Sequence, residues 1–254
     1  QAGISNADVG GDDAVAAGFI GIHVFGNHVK QLQLLRSMPV RMAGMGMRMH
    51  DDVIPDVMLD IRYYSEYNFI GDRIPGYEQP VAILSRQACD SLKLVAEDLK
   101  AKGYLLRIYD AYRPQDAVDY FMKWAADISD TRMKEYFYPE IDKSAVIPQG
   151  YVATKSSHTR GSTVDLTLFD EKLQKDVDMG CTFDYFGRAS HPDVQPGEEI
   201  GAYRPINEEQ YRNRMILREA MLAHGFAPYE CEWWHFTLAA EPFPDVLADG
   251  FLNA

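Results

Sequence analysis

Long apolar runs are missing from this chain. None reaches the ~18 residues that a helix needs to cross a bilayer, so no membrane-spanning segment is expected. The longest, from Ala14 to Gly26, is broken by Gly18, Gly21 and His23. It follows Asp12 and Asp13 rather than a basic stretch, which makes a poor signal peptide. Positive charge is scarce as well: 25 Lys and Arg stand against 38 Asp and Glu, a formal net charge of -13. An acidic surface repels phosphate backbones, so no nucleic-acid partner is expected, and the few cations that line a cleft gain interest. Cysteine is sparse, and Cys89, Cys181 and Cys231 fit no Cys-rich zinc spacing. Cys89 falls on the apolar side of a helical stretch and reads as a buried thiol. Cys181 and Cys231 lie near the two richest motifs; the sequence leaves open whether they pair in a disulfide or stay free.

What is present is ordinary for a globular protein: 46% hydrophobic and 25% charged residues in 254. Residues 1–50, rich in Gly, Ala and Met, show no period and read as a partly irregular extension. From residue 51 to 254 the chain reads as one domain, with no long linker and no internal repeat. Gln1 in place of Met fits either loss of a leader or a record that begins downstream of the true start. The Met cluster from Met38 to Met49 suits a translation start or a linker. A periplasmic or secreted location is favoured over a cytoplasmic one.

Ser85 can cap a helix over Arg86–Lys102, with Ala88, Leu92, Val95, Ala96 and Leu99 as its apolar stripe and Gly103 as its stop. Tyr104 to Tyr109 is a strand candidate that runs into Asp110-Ala111-Tyr112-Arg113-Pro114, and a helix over Gln115–Ala126 follows. Asn207 can cap a helix that ends at His224 before Gly225, with a further strand candidate from Cys231 to Leu238. Helices and short strands mix without strict βαβ alternation, which favours an α+β class.

Two segments carry chemistry. From Thr163 the chain alternates, with Val164, Leu166 and Leu168 on one face and Thr163, Asp165 and Thr167 on the other. Asp165 therefore projects away from the core side, and Gly161 lets the chain turn so that His158 can converge with it. The second segment is Glu232-Trp233-Trp234-His235. Positions three apart on an ideal strand face opposite ways, so Glu232 and His235 can share a site only where the strand starts, kinks or bulges. Two neutral imidazoles and one carboxylate leave a fourth position for water, as in catalytic zinc sites, and an unligated carboxylate can take that water's proton. Each element taken singly has a structural explanation: a loop His, a core Trp pair, or an Arg113 that does no more than pair with Asp110.

Taken together, Ser156-Ser157-His158-Thr159-Arg160-Gly161-Ser162-Thr163-Val164-Asp165 and Glu232-Trp233-Trp234-His235 resemble the motifs of the VanX-type D-alanyl-D-alanine dipeptidases. These belong to a wider group with zinc D-alanyl-D-alanine peptidases and the hedgehog amino-terminal domain. The resemblance runs from about Asp60 to Pro244 and includes Arg62-Tyr63, Asn68-Phe69, Asp110-Ala111-Tyr112-Arg113-Pro114, Met179-Gly180 and Phe183-Asp184. It implies a small antiparallel sheet that carries a zinc site between flanking helices. It implies one zinc per chain on His158, Asp165 and His235, with Glu232 as general base and Arg113 steadying the oxyanion. Tyr63, Ser156 and Asp184 would hold the substrate, a small D,D-dipeptide, with Asp184 on its free amino group. Ala111 departs from members with Gly there, which matters only if the backbone needs a positive φ.

The expected function is a zinc metallopeptidase that splits D-alanyl-D-alanine, in cell-wall precursor turnover or glycopeptide resistance. A D,D-carboxypeptidase or endopeptidase on longer peptidoglycan stems is the nearest alternative. A non-catalytic metal-binding module on the same scaffold is disfavoured, because it would need neither Glu232 nor Arg113. The segment from Tyr185 to Pro205 is a candidate wall or lid over the pocket, and the oligomeric state is left open.

Overall fold

A computed structural model of the chain describes residues 35–37, 54, 56–201 and 203–245. The strands are β1 (Leu35–Ser37), β2 (Met58–Leu59), β3 (Ala82–Leu84), β4 (Tyr104–Asp110), β5 (Thr163–Asp170), β6 (Lys175–Asp176), β7 (Phe226–Tyr229) and β8 (Glu232–Leu238). The α-helices are α1 (Arg86–Ala101), α2 (Gln115–Ala126), α3 (Lys134–Phe137) and α4 (Glu208–Ala223). Both expected caps are in place: Ser85 accepts from the amide of Ala88, and Asn207 with Gln210 forms a reciprocal capping box at the start of α4.

The α+β expectation holds, and the sheet is mixed. Its order is β2-β4-β5-β8-β7, with β6 on the distal half of β5. Every pairing in it is antiparallel except β2 with β4. A separate parallel pair joins β1 to β3, so Leu35–Ser37, inside the stretch that reads as an extension, reach the edge of the domain. The expectations for the Ala14–Gly26 run and the Met cluster lie outside the described residues.

Helix α1 buries Ala88, Cys89, Leu92, Val95 and Leu99, packs on β4 and touches α4, which in turn packs on β7. Val164, Leu166 and Leu168 of β5 are fully enclosed, as the alternation predicts. Thr163, Asp165 and Thr167 are enclosed too, so β5 is covered on both faces and its polar row has no contact with open solvent. Such a row tolerates burial only if each polar group finds a partner.

Cys89, Cys181 and Cys231 form no disulfide among the described residues. Cys89 is buried as expected. Cys181 is held apart from Cys231 by its own partners: it accepts from the indole of Trp233 and donates to the carbonyl of Ala189. The Tyr185–Pro205 stretch folds onto a small core of its own, formed by Tyr185, Ala189, Val194, Ile200 and Ile206. Arg214 of α4 ties that stretch down. Its buried guanidinium donates to the carbonyls of Met179, Ala189 and His191 at 2.6, 2.9 and 3.2 Å.

Ser85 has a second duty. Its hydroxyl lies 3.1 Å from that of Ser162, and its amide donates to the carbonyl of Gly161, so the start of α1 is pinned to the turn that leads into β5. Ser85→Ala removes the cap and leaves Ser162 without this buried partner. It should lower stability by about 1–2 kcal/mol, readable as a shift of the urea midpoint with an unchanged slope.

Candidate active site

Three adjacent strands bring the chemistry to one row. Asp110 on β4 pairs with Asp165 on β5, and Asp165 pairs in turn with His235 on β8. Two irregularities make this possible. In β4, Tyr109 is an extra residue opposite the step from Leu166 to Asp165, a bulge that re-aims Asp110. In β8, the register jumps from Phe236 opposite Pro228 to Glu232 opposite Tyr229. Glu232 is the first residue of that strand, and this meets the geometric demand stated above: Glu232 Oε2 comes to 3.4 Å from His235 Nδ1.

His158 arrives from outside the sheet. It sits in the single 3-10 turn Ser157–Arg160, which ends at Gly161 with a φ of 74°. That left-handed conformation suits glycine and turns the chain back into β5. His158 Nε2 lies 3.2 Å from Asp165 Oδ2 and 3.3 Å from His235 Nδ1, and His235 Nδ1 lies 3.1 Å from Asp165 Oδ1. Donor atoms about 2.0–2.2 Å from a tetrahedral zinc stand about 3.3–3.6 Å apart, so the spacing is close to what a zinc ion needs.

The partners around these groups point the same way. His158 Nδ1 donates to the carbonyl of Ala111 at 2.6 Å, which fixes the tautomer and leaves Nε2 with its lone pair toward the other two. Ser157 Oγ lies 3.4 Å from His235 Nε2 and steers that ring likewise. Asp165 Oδ1 is buried without a hydrogen bond despite its near neighbour, an arrangement that suits a metal ligand. Burial pushes the Asp165 carboxyl up, but the imidazoles of His158 and His235 outweigh it and hold the group below the usual carboxylate range. Burial also disfavours charge on His235, yet Asp165 and Glu232 override it and push the imidazole up to about 9. His158, Asp165 and His235 thus form a group able to hold one ion.

A cavity of about 450 Å³ opens over this group, within the usual range for a small-molecule site. Tyr63, Arg113, Ser156, Asp184 and Glu232 all line it beside the three candidate ligands. Its outer walls come from the Gly150–Ser157 segment and from Ala227, Pro228 and Tyr229. None of the described residues from Tyr185 to Pro205 lines it, so the expected wall or lid is not there; most of that stretch packs on a small core of its own, and Phe186 backs the lining residue Tyr151 from behind.

Arg113 is 15% exposed at its side chain. Its Nε and Nη2 both reach Asp110 Oδ2 at 2.9 Å, and Nη2 stands 3.6 Å from Asp165. The pair with Asp110 therefore exists, and the guanidinium still faces the cavity. Tyr63 donates to Asp184 at 3.0 Å. Asp184 has a φ of 61°, rare for a residue with a side chain and a form of strain that gathers at functional positions. Burial pushes its carboxyl well up, and Asp165 and Glu232 push in the same direction. Ser156 lines the cavity and also caps the turn, accepting from the amide of His158 at 3.2 Å. Ala111 is not among the described non-glycine residues with positive φ, so alanine there is unstrained.

The sequence pointed to Asp110 only as a partner of Arg113, within the motif that carries both. It held no sign of the carbonyl of Ala111 and the hydroxyl of Ser157 as partners of the imidazoles, or of Tyr77 as the buried partner of Asp110. Tyr77 has no local signal, because it meets Asp110 across 33 positions of chain.

Comparison with known proteins agrees with this geometry. The profile of the Peptidase_M15 family, described as D-ala-D-ala dipeptidase, matches residues 44–253. The D-alanyl-D-alanine dipeptidase of Enterococcus faecalis is 38% identical over 196 residues, covering 77% of this chain and 93% of that protein. The protein of the same name from Enterococcus faecium is 38% identical over 199 residues, 78% of this chain and 94% of its own length. One from Escherichia coli is 33% identical over 200 residues, 78% and 88% respectively. With the profile spanning most of its length, the chain belongs to the Peptidase_M15 family of D-ala-D-ala dipeptidases.

Proposed function

We propose that this protein is a zinc dipeptidase that hydrolyses D-alanyl-D-alanine, with one zinc held by His158, Asp165 and His235. The observation that carries the reading is the convergence of those donors beside an unligated carboxylate, Glu232, in a cavity that also holds Arg113. The catalytic domain is taken to run from about residue 51 to 254, with residues 1–50 as an appendage; the family match over 44–253 supports a boundary in that region. Such an activity fits turnover of cell-wall precursors or resistance to glycopeptides that bind them.

When bound, zinc supplies Lewis-acid polarisation and acidifies the attacking water. Glu232 accepts the proton of that water as it attacks the scissile carbonyl, and returns it to the amine that leaves. Arg113 stands ready to donate to the oxygen that becomes negative. Asp184 takes the substrate's free ammonium, with Tyr63 fixing the orientation of its carboxylate. The two acids that push Asp184 toward its neutral form make a cationic partner favourable there. Ser156 contributes a hydroxyl beside the same cavity.

Activity on D-alanyl-D-alanine and on a pentapeptide stem, measured side by side, tests the reading. Turnover of the dipeptide with little on the stem is expected; the reverse result would make the protein a carboxypeptidase. Glu232→Gln should keep zinc and lose most turnover, whereas His158→Ala should lose the metal itself; metal analysis of both variants checks the roles. Arg113→Lys keeps the charge but not the planar fork. It should lower kcat by about 10²–10³ with KM little changed, as for one lost oxyanion donor. A rise in KM alone would place the guanidinium on the substrate carboxylate.

Metal removal has a pH signature. In the metal-free protein the His235 imidazole, pushed up to about 9, gains stability from its carboxylate neighbours. That contribution is complete below the unfolded value of about 6.5 and fades as the pH rises through about 9. The melting temperature of chelated protein should fall across this window, and zinc-loaded protein should not show the same fall.

A further inference from the structure

Behind the cavity wall lie two buried groups, Asp110 and Tyr77, that do not line the cavity themselves. Asp110 is fully enclosed, yet it carries a carboxylate next to that of Asp165. Its Oδ2 accepts both nitrogens of Arg113, and its Oδ1 accepts the hydroxyl of Tyr77 at 2.8 Å. Tyr77 is itself buried and does not line the cavity. Its ring lies 5.5 Å from that of Tyr63, whose face in turn receives the Arg113 guanidinium at 5.0 Å.

A carboxylate held at one oxygen only can swing about its carbon–carbon bond. With Oδ1 fastened by Tyr77, the plane of Asp110 is fixed, and so is the direction in which Oδ2 presents itself to Arg113. The guanidinium is long, and its other neighbours are the Tyr77 hydroxyl itself, Asp165 at 3.6 Å and the faces of Tyr63 and Phe121. A donor aimed at a developing charge is effective only if it is already in position, since reorientation during the reaction would consume much of its benefit.

We infer that Tyr77 and Asp110 are positioning residues that lock the Arg113 guanidinium onto the oxyanion of the reaction. This rests on the dipeptidase reading and on the part given there to Arg113. Tyr77 lines neither the cavity nor the metal group, and its hydroxyl holds Arg113 both through Asp110 and by direct contact with the guanidinium. Removal of its hydroxyl leaves the ring packing in place, so Tyr77→Phe separates positioning from core filling.

The test is a double-variant cycle on full-length zinc-loaded protein with D-alanyl-D-alanine as substrate. Tyr77→Phe alone should lower kcat by about 10- to 100-fold, the usual loss when an outer hydrogen-bond partner is removed. KM and bound zinc should stay near their original values. In the Arg113→Lys background the same Tyr77→Phe change should cost little more, because the group it positions is already gone. Asp110→Asn, which keeps the shape and weakens the hold on Arg113, should follow the same non-additive pattern, and it stands in if Tyr77→Phe does not fold. A full multiplicative loss on the Arg113→Lys background would overturn the inference, as would an unchanged kcat in Tyr77→Phe. So would a lowered melting temperature with normal turnover per zinc-loaded molecule, which would make the contact purely structural. Failure of the dipeptidase reading looks different: the unmodified protein would then not turn over the dipeptide, and there would be no oxyanion for the guanidinium to meet.

Discussion

The rest of the site depends on one constraint: two buried carboxylates and an imidazole stand side by side across β4, β5 and β8. Asp110, Asp165 and His235 are neighbours in register, and both acids are almost wholly removed from water. Left without cations, adjacent buried carboxylates repel each other and lose their hydration. The structure answers with cations and donors from three directions. Arg113 comes from the end of β4, His158 from the turn before β5, and Tyr77 from the segment ahead of β3. A divalent metal at the His158–Asp165–His235 group would add the largest local charge and favour the same arrangement.

From that row the cavity divides into two functional arms. On one side Asp110 holds Arg113; on the other Tyr63 holds Asp184. Tyr63 links them, because its ring lies under the guanidinium while its hydroxyl reaches Asp184. The aromatic cluster beneath, with Phe69, Phe121 and Phe183 around Tyr63, gives both arms a rigid base. Rigidity matters more here than surface area, because groups that act on a small zwitterion must be fixed to within a fraction of an ångström. The segment from Met179 to His191, which brings Asp184 to the cavity in a strained conformation, is anchored at a distance by the carbonyl bonds of Arg214.

Much of this was legible in the chain itself. The helices α1, α2 and α4 follow from capping residues, apolar spacing and terminal glycines, all of which act over a few residues. The alternation from Thr163 revealed β5 and the face of Asp165. The demand for an irregularity between Glu232 and His235 came from strand geometry alone, and β8 meets it by starting at Glu232 opposite a broken register. The Tyr185–Pro205 stretch was misjudged as wall or lid because its apolar residues give no sign of which neighbours they choose. Tyr185, Ala189, Val194 and Ile200 choose one another, while Phe186 packs into the main core against Phe69 and Tyr151.

By itself the sequence determined which residues are the candidates for the chemistry and which local elements hold them, since residue type, capping and periodicity are short-range properties. It also set the family, through several motifs in a fixed order. Only the tertiary structure decided that Asp110, Asp165 and His235 lie in one row, that the carbonyl of Ala111 sets the His158 tautomer, and that Tyr77 stands behind Arg113. Each of these joins residues far apart in the chain, through strand register, two bulges and a buried hydroxyl. The alternation of a strand fixes which face is buried, but a bulge shifts which residues stand opposite, and that shift is settled only by the packing of the neighbouring strands.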